Sequence, residues 1–229
     1  MIRFIPVFLW LAIAFTSAGC SGTSKIDVGR LLTSGRDGWQ HPERVITALE
    51  IRPGDHVAEI GAGSGYWLSR LSQAVGSEGR VYAVEVEPEL VEALEARVAK
   101  EGFTNVEVIL GAYHDPRLPD GQIDLAMTCL TYHHIDGHVD YFRALKVDLR
   151  EGGRVVHLDD RPDSPAPISW FQSAGHWTDP QEIVEEMSEA GYVRSQAFDF
   201  LPAQSFQIFS PAVGSAERTR DENFAGQRS

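Results

Sequence analysis

Short apolar runs alternate along this chain with segments in which apolar residues recur every three or four positions. The runs have the pattern of strands buried on both faces, and the recurrences have the spacing of one face of a helix. The run at 57–60 is followed by such a helical face, which carries Leu68, Leu71 and Val75. The same pattern predicts strands at 57–60, 80–84, 105–110, 123–130, 154–158, 194–200 and 206–209.

Helices are predicted between most of these strands. Pro42, Pro88 and Pro180 each stand at a first helical position, where a missing N–H costs nothing, and 139–149 is also helical in pattern. Alternating strands and helices predict an α/β fold with a mostly parallel sheet and helices on both faces. No helix is predicted between the last two strands, so we expect them to pair antiparallel.

A glycine-rich turn follows the first strand. The sequence there places Gly61, Gly63 and Gly65 two residues apart, directly behind the acidic Glu59. Glycine allows positive φ and a close approach of the backbone to a ligand. The amides of the turn and of the next helix form a polar cradle, so the turn predicts a site for a nucleotide-like cofactor.

A second acidic residue ends the second strand. Glu85 lies twenty positions after Gly65 and directly ends the apolar run at 80–84. In a βαβ unit this position lies beside the glycine turn, where a carboxylate can accept both hydroxyls of a ribose. We therefore predict that Glu85 binds the sugar of the cofactor.

The chain resembles the class I S-adenosylmethionine (SAM) dependent methyltransferases. The resemblance rests on residues 59–65, Glu85, the strand with Asp124, and 149–158, where Arg150-Glu151 replaces the x-Pro of the family's Leu-x-Pro-Gly-Gly element. It implies a Rossmann-like, doubly wound, seven-stranded sheet, mostly parallel, with an antiparallel final strand. It also implies SAM as cofactor, with Glu59 at its amino-acid end.

The loops after the third and fourth predicted strands contain further candidate site residues, which the resemblance implies. An acidic residue after the third strand commonly reaches the adenine in this family. Ala112 stands at its usual place, so Asp115 is the candidate here, and a turn-forming role before Pro116 is the alternative. After the fourth strand, His133 and His134 match a His-His-Ile/Leu pattern of the small-molecule members. Either histidine suits the role of a general base, because imidazole titrates near neutrality. We expect His133 to be the inward one; shaping the pocket is the alternative role.

Charge and cysteine content narrow the function. The 229 residues carry a formal net charge of −13 with no basic stripe, which argues against a nucleic-acid substrate. Cys129 has no Cys or His partners at metal-ligand spacing and is predicted to be a small buried hydrophobe, so no metal site is expected.

The chain begins with the pattern of a secretory signal. Residues 5–15 are almost all apolar, and Ala18-Gly19-Cys20 resembles the lipobox of bacterial lipoproteins, with Ser17 departing from it. We predict a signal peptide at 1–20, lipidation of Cys20, a flexible tether at 21–38, the folded domain at 39–211 and a disordered tail at 212–229. An ordinary signal peptide or an uncleaved anchor is the alternative.

These observations predict SAM-dependent methyl transfer to a small molecule, by a lipoprotein anchored in the bacterial cell envelope. Periplasmic or secreted protein after cleavage is the alternative location. An aromatic-rich segment at 161–177 is predicted to be a lid, which suggests a flat or apolar acceptor. Because SAM is made in the cytoplasm, a non-catalytic ligand-binding lipoprotein on the same fold is the second hypothesis. A nicotinamide oxidoreductase is a third. The sequence predicts no oligomeric state.

Overall fold

The computed structural model describes residues 35–163 and 177–212. Within these residues the chain forms one seven-stranded sheet with strand order β3-β2-β1-β4-β5-β7-β6, covered by helices. The strands are β1 His56–Ile60, β2 Arg80–Glu85, β3 Val106–Leu110, β4 Ile123–Cys129, β5 Leu149–Asp160, β6 Tyr192–Phe198 and β7 Gln204–Pro211. The helices are α1 Arg36–Gln40, α2 Pro42–Leu49, α3 Leu68–Val75, α4 Pro88–Glu101, α5 His138–Leu145 and α6 Pro180–Glu189, with a 3₁₀ turn at Tyr132–His134.

The predicted fold class is confirmed. Strands β1 to β5 pair parallel, whereas β7 pairs antiparallel with both β5 and β6. Proline opens three of the helices as expected, and the Asp179 side chain caps α6 by accepting a hydrogen bond of 2.7 Å from the N–H of Gln181.

Two apolar cores sandwich the sheet. On one face, Leu71 and Val75 of α3 are fully buried together with residues of α2 and α4. On the other, Phe142 of α5 and Met187 of α6 are fully buried against the opposite side of the strands. The sheet is therefore doubly wound, and its strand order reverses between β1 and β4. In such sheets ligands bind beyond the carboxyl ends of the strands at this reversal.

Some element bounds differ from the prediction. Strand β5 begins at Leu149, five residues before the predicted start, because Leu149 pairs with Ile123 ahead of a register shift. At Gly153 a Cβ would lie 2.7 Å from the carbonyl oxygen of Ile123, so glycine is what lets the two strands approach there. For the same reason the predicted helix at 139–149 ends earlier, at Leu145.

Several of the predicted segments lie wholly or partly outside the described residues. Helix α1 includes residues 36–38, which were predicted to be part of the tether. The predicted signal peptide with Cys20, the rest of the tether, residues 164–176 of the predicted lid, and the tail from 213 lie outside the described residues. Across 35–163 and 177–212, every helix is too short or too polar to span a bilayer.

Candidate functional site

A cavity of about 590 Å³ opens at the carboxyl ends of β1, β2 and β4. This volume lies within the range of about 300–1,000 Å³ that small-molecule sites usually have. Its lining combines the glycine turn, two acidic strand ends, an apolar wall and part of the segment after β4. The lining residues are Arg36, Glu59, Ile60, Gly61, Ala62, Gly63, Ser64, Tyr66, Val84, Glu85, Val86, Glu87, Leu90, Ala112, Tyr113, Cys129, Leu130, Thr131, His134, Ile135 and Tyr141.

The glycine turn is held in the conformation that its sequence predicts. Gly61, Gly63 and Gly65 have φ values of 74°, 56° and 81°, a region that residues with a Cβ rarely adopt. The N–H groups of Gly61 and Ala62 both donate to the carbonyl of Val84, at 2.9 and 3.0 Å, which ties the turn to β2.

A side chain from α4 supports the same turn from behind. One guanidinium nitrogen of Arg97 donates to the carbonyls of Ser64 and Gly65, at 2.8 and 2.7 Å, while its Nε contacts Glu101 at 2.8 Å. These bonds give two carbonyls of the turn a charged donor. Gly61 itself faces Thr131, since a Cβ on Gly61 would lie 2.4 Å from the Thr131 Cγ2 atom.

Glu59 is a buried carboxyl group at the bottom of the cavity. Its side chain is 2% exposed, and within the described residues its Oε2 atom has no hydrogen-bond partner. Burial raises its pKa to about 8; Arg36 and Arg97 act in the opposite direction, and Glu85 adds to the increase. A buried carboxylate of this kind fits a cationic ligand group, because an ammonium would satisfy the oxygen and its charge together.

Glu85 ends β2 with its carboxylate fixed by the backbone. Its Oε2 atom accepts from the N–H of Gly63 at 2.9 Å, and its Oε1 atom accepts from the N–H of Val86 at 2.8 Å. A carboxylate oxygen can accept two hydrogen bonds, so each oxygen keeps acceptor capacity for a hydroxyl. The group is 7% exposed and lines the cavity, where it can bind a diol such as a ribose.

The loop after β3 contributes differently from the prediction. Ala112 and Tyr113 line the cavity, and the hydroxyl of Tyr113 donates to Glu87 at 2.6 Å. Asp115 is not among the lining residues; its carboxylate accepts from the N–H of Arg117 at 2.7 Å, within a tight turn closed by Ala112. The contact of Asp115 with adenine therefore stays a prediction, and the geometry favours the turn-forming role.

The two histidines after β4 have different surroundings. The Nδ1 atom of His133 lies 2.8 Å from the Oδ1 atom of Asp159, whose side chain is fully buried, and the N–H of His133 donates to the same carboxylate at 3.2 Å. His134 is exposed and lines the cavity. The ring centroids of the two lie 4.1 Å apart. His134 is thus the one that faces the cavity, and His133 is held from below by Asp159.

Arg36 and Cys129 are among the lining residues that were not predicted as site residues. Arg36 of α1 places its guanidinium 3.9 Å from the ring centre of Tyr66 and 3.4 Å from the Cys129 sulfur atom. Cys129 is buried as predicted, and burial raises the pKa of its thiol. The sequence offers no local signal for Arg36, which lies in the stretch at 21–38 that was predicted to be a tether. No metal-binding group of His, Cys, Asp and Glu is found in the described ranges.

Comparison with known proteins shows what part of the chain is similar to. Residues 57–153 match the model of a family described as a methyltransferase domain. A protein-L-isoaspartate O-methyltransferase from Ignicoccus hospitalis is 43% identical over 119 residues, which cover 52% of this chain and 54% of that protein. An uncharacterized 37.1 kDa transposon protein from Streptomyces fradiae is 37% identical over 112 residues, which cover 49% of this chain and 32% of that protein. The chain thus spans about half or less of these two relatives.

A solved structure extends the likeness to most of the fold. The crystal structure of a SAM-dependent methyltransferase from Aquifex aeolicus superimposes with a TM-score of 0.71 at 23% identity, covering 80% of this chain and 95% of that one. The described part of the chain therefore has the Rossmann-like fold of the class I methyltransferases, and residues 57–153 match the methyltransferase-domain family.

Proposed function

We propose that this protein is a SAM-dependent methyltransferase whose cofactor lies in the 590 Å³ cavity. The observation that carries the proposal is the pair of acidic residues on either side of the glycine turn. Glu59 offers a buried carboxylate oxygen to an ammonium group, and Glu85 offers fixed acceptors to a diol. The amino-acid end and the ribose of SAM present these two groups.

The apolar wall completes the fit to a nucleoside. Leu90 and Val86 line the cavity beyond Glu85, with Ala112 and Tyr113 on the side of β3. An adenine ring placed there would be held mainly by apolar and stacking contacts. Glu59, Glu85 and the turn would thus hold the cofactor, and the bound sulfonium would supply the methyl group to an acceptor.

The protein's own contribution to transfer is alignment and the removal of a proton. Holding the acceptor in line with the methyl group can lower the barrier by roughly 7–11 kcal/mol. A base is worth about 10²–10⁴-fold, and only where the acceptor begins protonated. His134 lines the cavity and is the candidate base; His133, bonded to Asp159, fixes the segment on which His134 lies.

The acceptor is a small molecule in the first version of this proposal. A small hydroxyl compound or an activated carbon acid would need the base that His134 offers. A second version has a protein carboxylate as acceptor, because a relative that matches half of this chain is named a protein-L-isoaspartate O-methyltransferase. A carboxylate is already ionised near pH 7 and needs no base.

Binding is tested first, by calorimetry with SAM and with S-adenosylhomocysteine, its product. Glu85→Ala should weaken binding by about 10- to 100-fold, since it removes charge-assisted hydrogen bonds to the ribose. Glu89→Ala is the matched control, because Glu89 is exposed in the first turn of α4 and does not line the cavity. No heat at millimolar cofactor would contradict the proposal.

Transfer is tested next, by following S-adenosylhomocysteine formation with an isoaspartyl peptide and with a panel of small aromatic hydroxyl compounds. His134→Ala should slow transfer to a hydroxyl by about 10²-fold or more and leave transfer to a carboxylate nearly unchanged. Cofactor binding without transfer to any acceptor would favour the ligand-binding alternative.

We also propose that the chain is a lipoprotein of the bacterial cell envelope, anchored to the membrane through Cys20. The support is the signal pattern of residues 1–20 with Ala18-Gly19 before the cysteine. Cells grown with a palmitate analogue should label the natural protein and not Cys20→Ser. If both remain unlabelled, the lipid anchor is wrong.

A further inference from the structure

Within the described residues, the lining of the cavity combines one arginine with three acidic residues. Of the described lining residues, Arg36 is the one Arg or Lys, whereas Glu59, Glu85 and Glu87 are all acidic. It comes from α1, at the start of the described chain, while the acidic groups come from β1 and β2 and the loop that follows β2. The cation therefore reaches the site from a separate element.

The Arg36 side chain is held in place by several groups of the protein. Its guanidinium lies over the ring of Tyr66 and contacts Cys129, and its Nε atom donates to Gln40. Gln40 itself is fully buried and donates to Cys129 and Gln204, at 2.9 and 2.8 Å. A solvated surface arginine would not have such a framework.

Helix α1 is fixed at its other side as well. Asp37 accepts a hydrogen bond from the Tyr66 hydroxyl and forms a 2.9 Å ion pair with Arg70 of α3. The short helix is thus bound to α3, β4 and β7 through polar side chains. Its position over the cavity is set by these contacts and requires no ligand.

Arg36 and Glu59 act on each other electrostatically. Burial raises the pKa of Glu59, and Arg36 is the strongest influence in the opposite direction. A carboxyl group and a guanidinium that both line one cavity fit a zwitterion, because an α-amino acid carries an ammonium and a carboxylate on the same carbon. Arginine is suited to the carboxylate because its planar fork donates two parallel hydrogen bonds.

We propose that Arg36 binds the α-carboxylate of the cofactor's amino-acid end, opposite Glu59, so that helix α1 forms part of the cofactor site. This inference rests on the proposed function and adds a ligand group to it. The preference for a ligand that carries the carboxylate over one that lacks it should then depend on Arg36. A charge-assisted hydrogen bond implies a loss of about 10- to 100-fold in affinity when either partner is removed.

The test uses three ligands that share adenine and ribose. S-adenosylhomocysteine carries both the ammonium and the carboxylate, its decarboxylated form carries only the ammonium, and 5′-methylthioadenosine carries neither. Calorimetry compares them on the natural protein, on Arg36→Met and on Arg44→Met. Arg44 is the matched control, because it also lies over an aromatic ring, that of Phe200 at 4.2 Å, but does not line this cavity.

The natural protein and Arg44→Met should bind S-adenosylhomocysteine about 10- to 100-fold more tightly than its decarboxylated form. Arg36→Met should bind these two ligands almost equally and should bind 5′-methylthioadenosine as the natural protein does, which shows that the site is intact. Preserved discrimination in Arg36→Met would overturn the inference while leaving the proposed function in place. A natural protein that binds none of the three would overturn the proposed function and the inference together.

Discussion

The two halves of the cavity rim are built by different means. In the cofactor half, formed by Glu59, the turn at 61–65 and Glu85, the polar groups face the cavity and the backbone is set by glycines with positive φ. In the other half, called the acceptor half after its proposed role, His134 lines the cavity, and the polar side chains of Tyr132, His133 and Asp159 are mostly paired beneath it. His133 contacts Asp159, and Tyr132 donates to Glu186 at 2.6 Å.

The two halves therefore obtain their shapes from different kinds of interaction. The cofactor half depends on local backbone geometry, so a single added Cβ can disturb it. The acceptor half depends on long side chains that several elements contribute. His138, for example, lies 3.0 Å from Glu186 and 3.0 Å from the carbonyl of Tyr132, which fixes the segment from a third element. Substitutions should therefore disrupt the cofactor half through steric strain and the acceptor half through the loss of buried hydrogen-bond partners.

Adding a methyl group to the glycine turn should have the largest effect. Gly61 and Gly102 have nearly equal φ values, 74° and 72°, but a Cβ on Gly61 meets Thr131 while one on Gly102 meets open space. The φ strain should cost both Ala variants about 1–2 kcal/mol of unfolding free energy. Overlap with Thr131 should cost Gly61→Ala about 1–3 kcal/mol more, as measured by urea denaturation.

The same pair of variants separates strain from overlap. Gly61→Ala should also lose most of its affinity for S-adenosylhomocysteine, whereas Gly102→Ala should keep it, because Gly102 ends α4 away from the cavity. Thr131→Ala added to Gly61→Ala should recover part of the stability. Equal losses in the two single variants would contradict the role given to close approach at Gly61.

The positions of Glu59, the glycine turn and Glu85 at one edge of the sheet could be predicted because their signals lie close together in the sequence, and their contacts with a cofactor stay a prediction. All of these residues fall between the start of β1 and the end of β2, and the three glycines have the residue type that their positive φ values favour. The fold class followed in the same way from alternating patterns. Residue bounds at β5 were wrong, because the bulge between Ile123 and Leu125 is a property of two paired strands.

Arg36 could not be predicted as a lining residue, because nothing local distinguishes it from a tether arginine. Its contact with Cys129 joins residues 93 positions apart, and Gln40 reaches Gln204 over 164 positions. For a related reason, the sequence led us to expect His133 as the inward histidine, whereas His134 is the one that lines the cavity. Which ring faces the cavity is decided by Asp159, a residue on a neighbouring strand, and not by the His-His pattern.

The acceptor half should respond to loss of a partner under the cavity. His133→Ala removes the imidazole that contacts the fully buried carboxylate of Asp159, to which the described residues then offer only backbone N–H donors. Leaving a buried charged acceptor underpaired should lower the unfolding free energy by about 2–3 kcal/mol. His134→Ala, on an exposed side chain next to it, should stay within about 0.5 kcal/mol of the natural protein. Similar denaturation midpoints for the two variants would remove the distinction drawn between these histidines.

Cofactor binding should release a proton from Glu59. Its pKa of about 8 lies above its ordinary value, so the group is mostly protonated at pH 6.5 in the ligand-free protein. An α-amino group is protonated at that pH, so its arrival beside Glu59 favours the carboxylate and expels the proton. Affinity should accordingly rise by up to about tenfold per pH unit between pH 6 and 7.

Calorimetry at pH 6.5 in buffers of different ionisation enthalpy measures the proton directly. The natural protein should release close to one proton per S-adenosylhomocysteine, and Glu59→Gln should release almost none. The raised pKa of Glu59 also affects the stability of the protein, because the folded state retains the proton to a higher pH than the unfolded state does. The ligand-free protein should therefore lose stability as pH rises from about 4.5 to 8, and Glu59→Gln should not share that loss. Uptake of a proton on binding would contradict this account.

The smallest effect should come from the support behind the glycine turn. Arg97 donates to the carbonyls of Ser64 and Gly65 but does not line the cavity, so its replacement by Met loosens the turn without removing a lining group. Loss of these bonds, at about 0.5–1.5 kcal/mol net for a typical hydrogen bond, should weaken S-adenosylhomocysteine binding about 2- to 10-fold. Arg80→Met is the control, because Arg80 contacts Glu107 at 3.5 Å on the exposed side of β2 and β3. Because Arg97 also lowers the pKa of Glu59, its loss should increase proton release at pH 7.5, where a merely weakened turn would leave the proton count unchanged. A weaker affinity with an unchanged proton count would assign Arg97 to the backbone of the turn alone, and an unchanged affinity would show that Gly61, Gly63 and Gly65 hold their geometry without it.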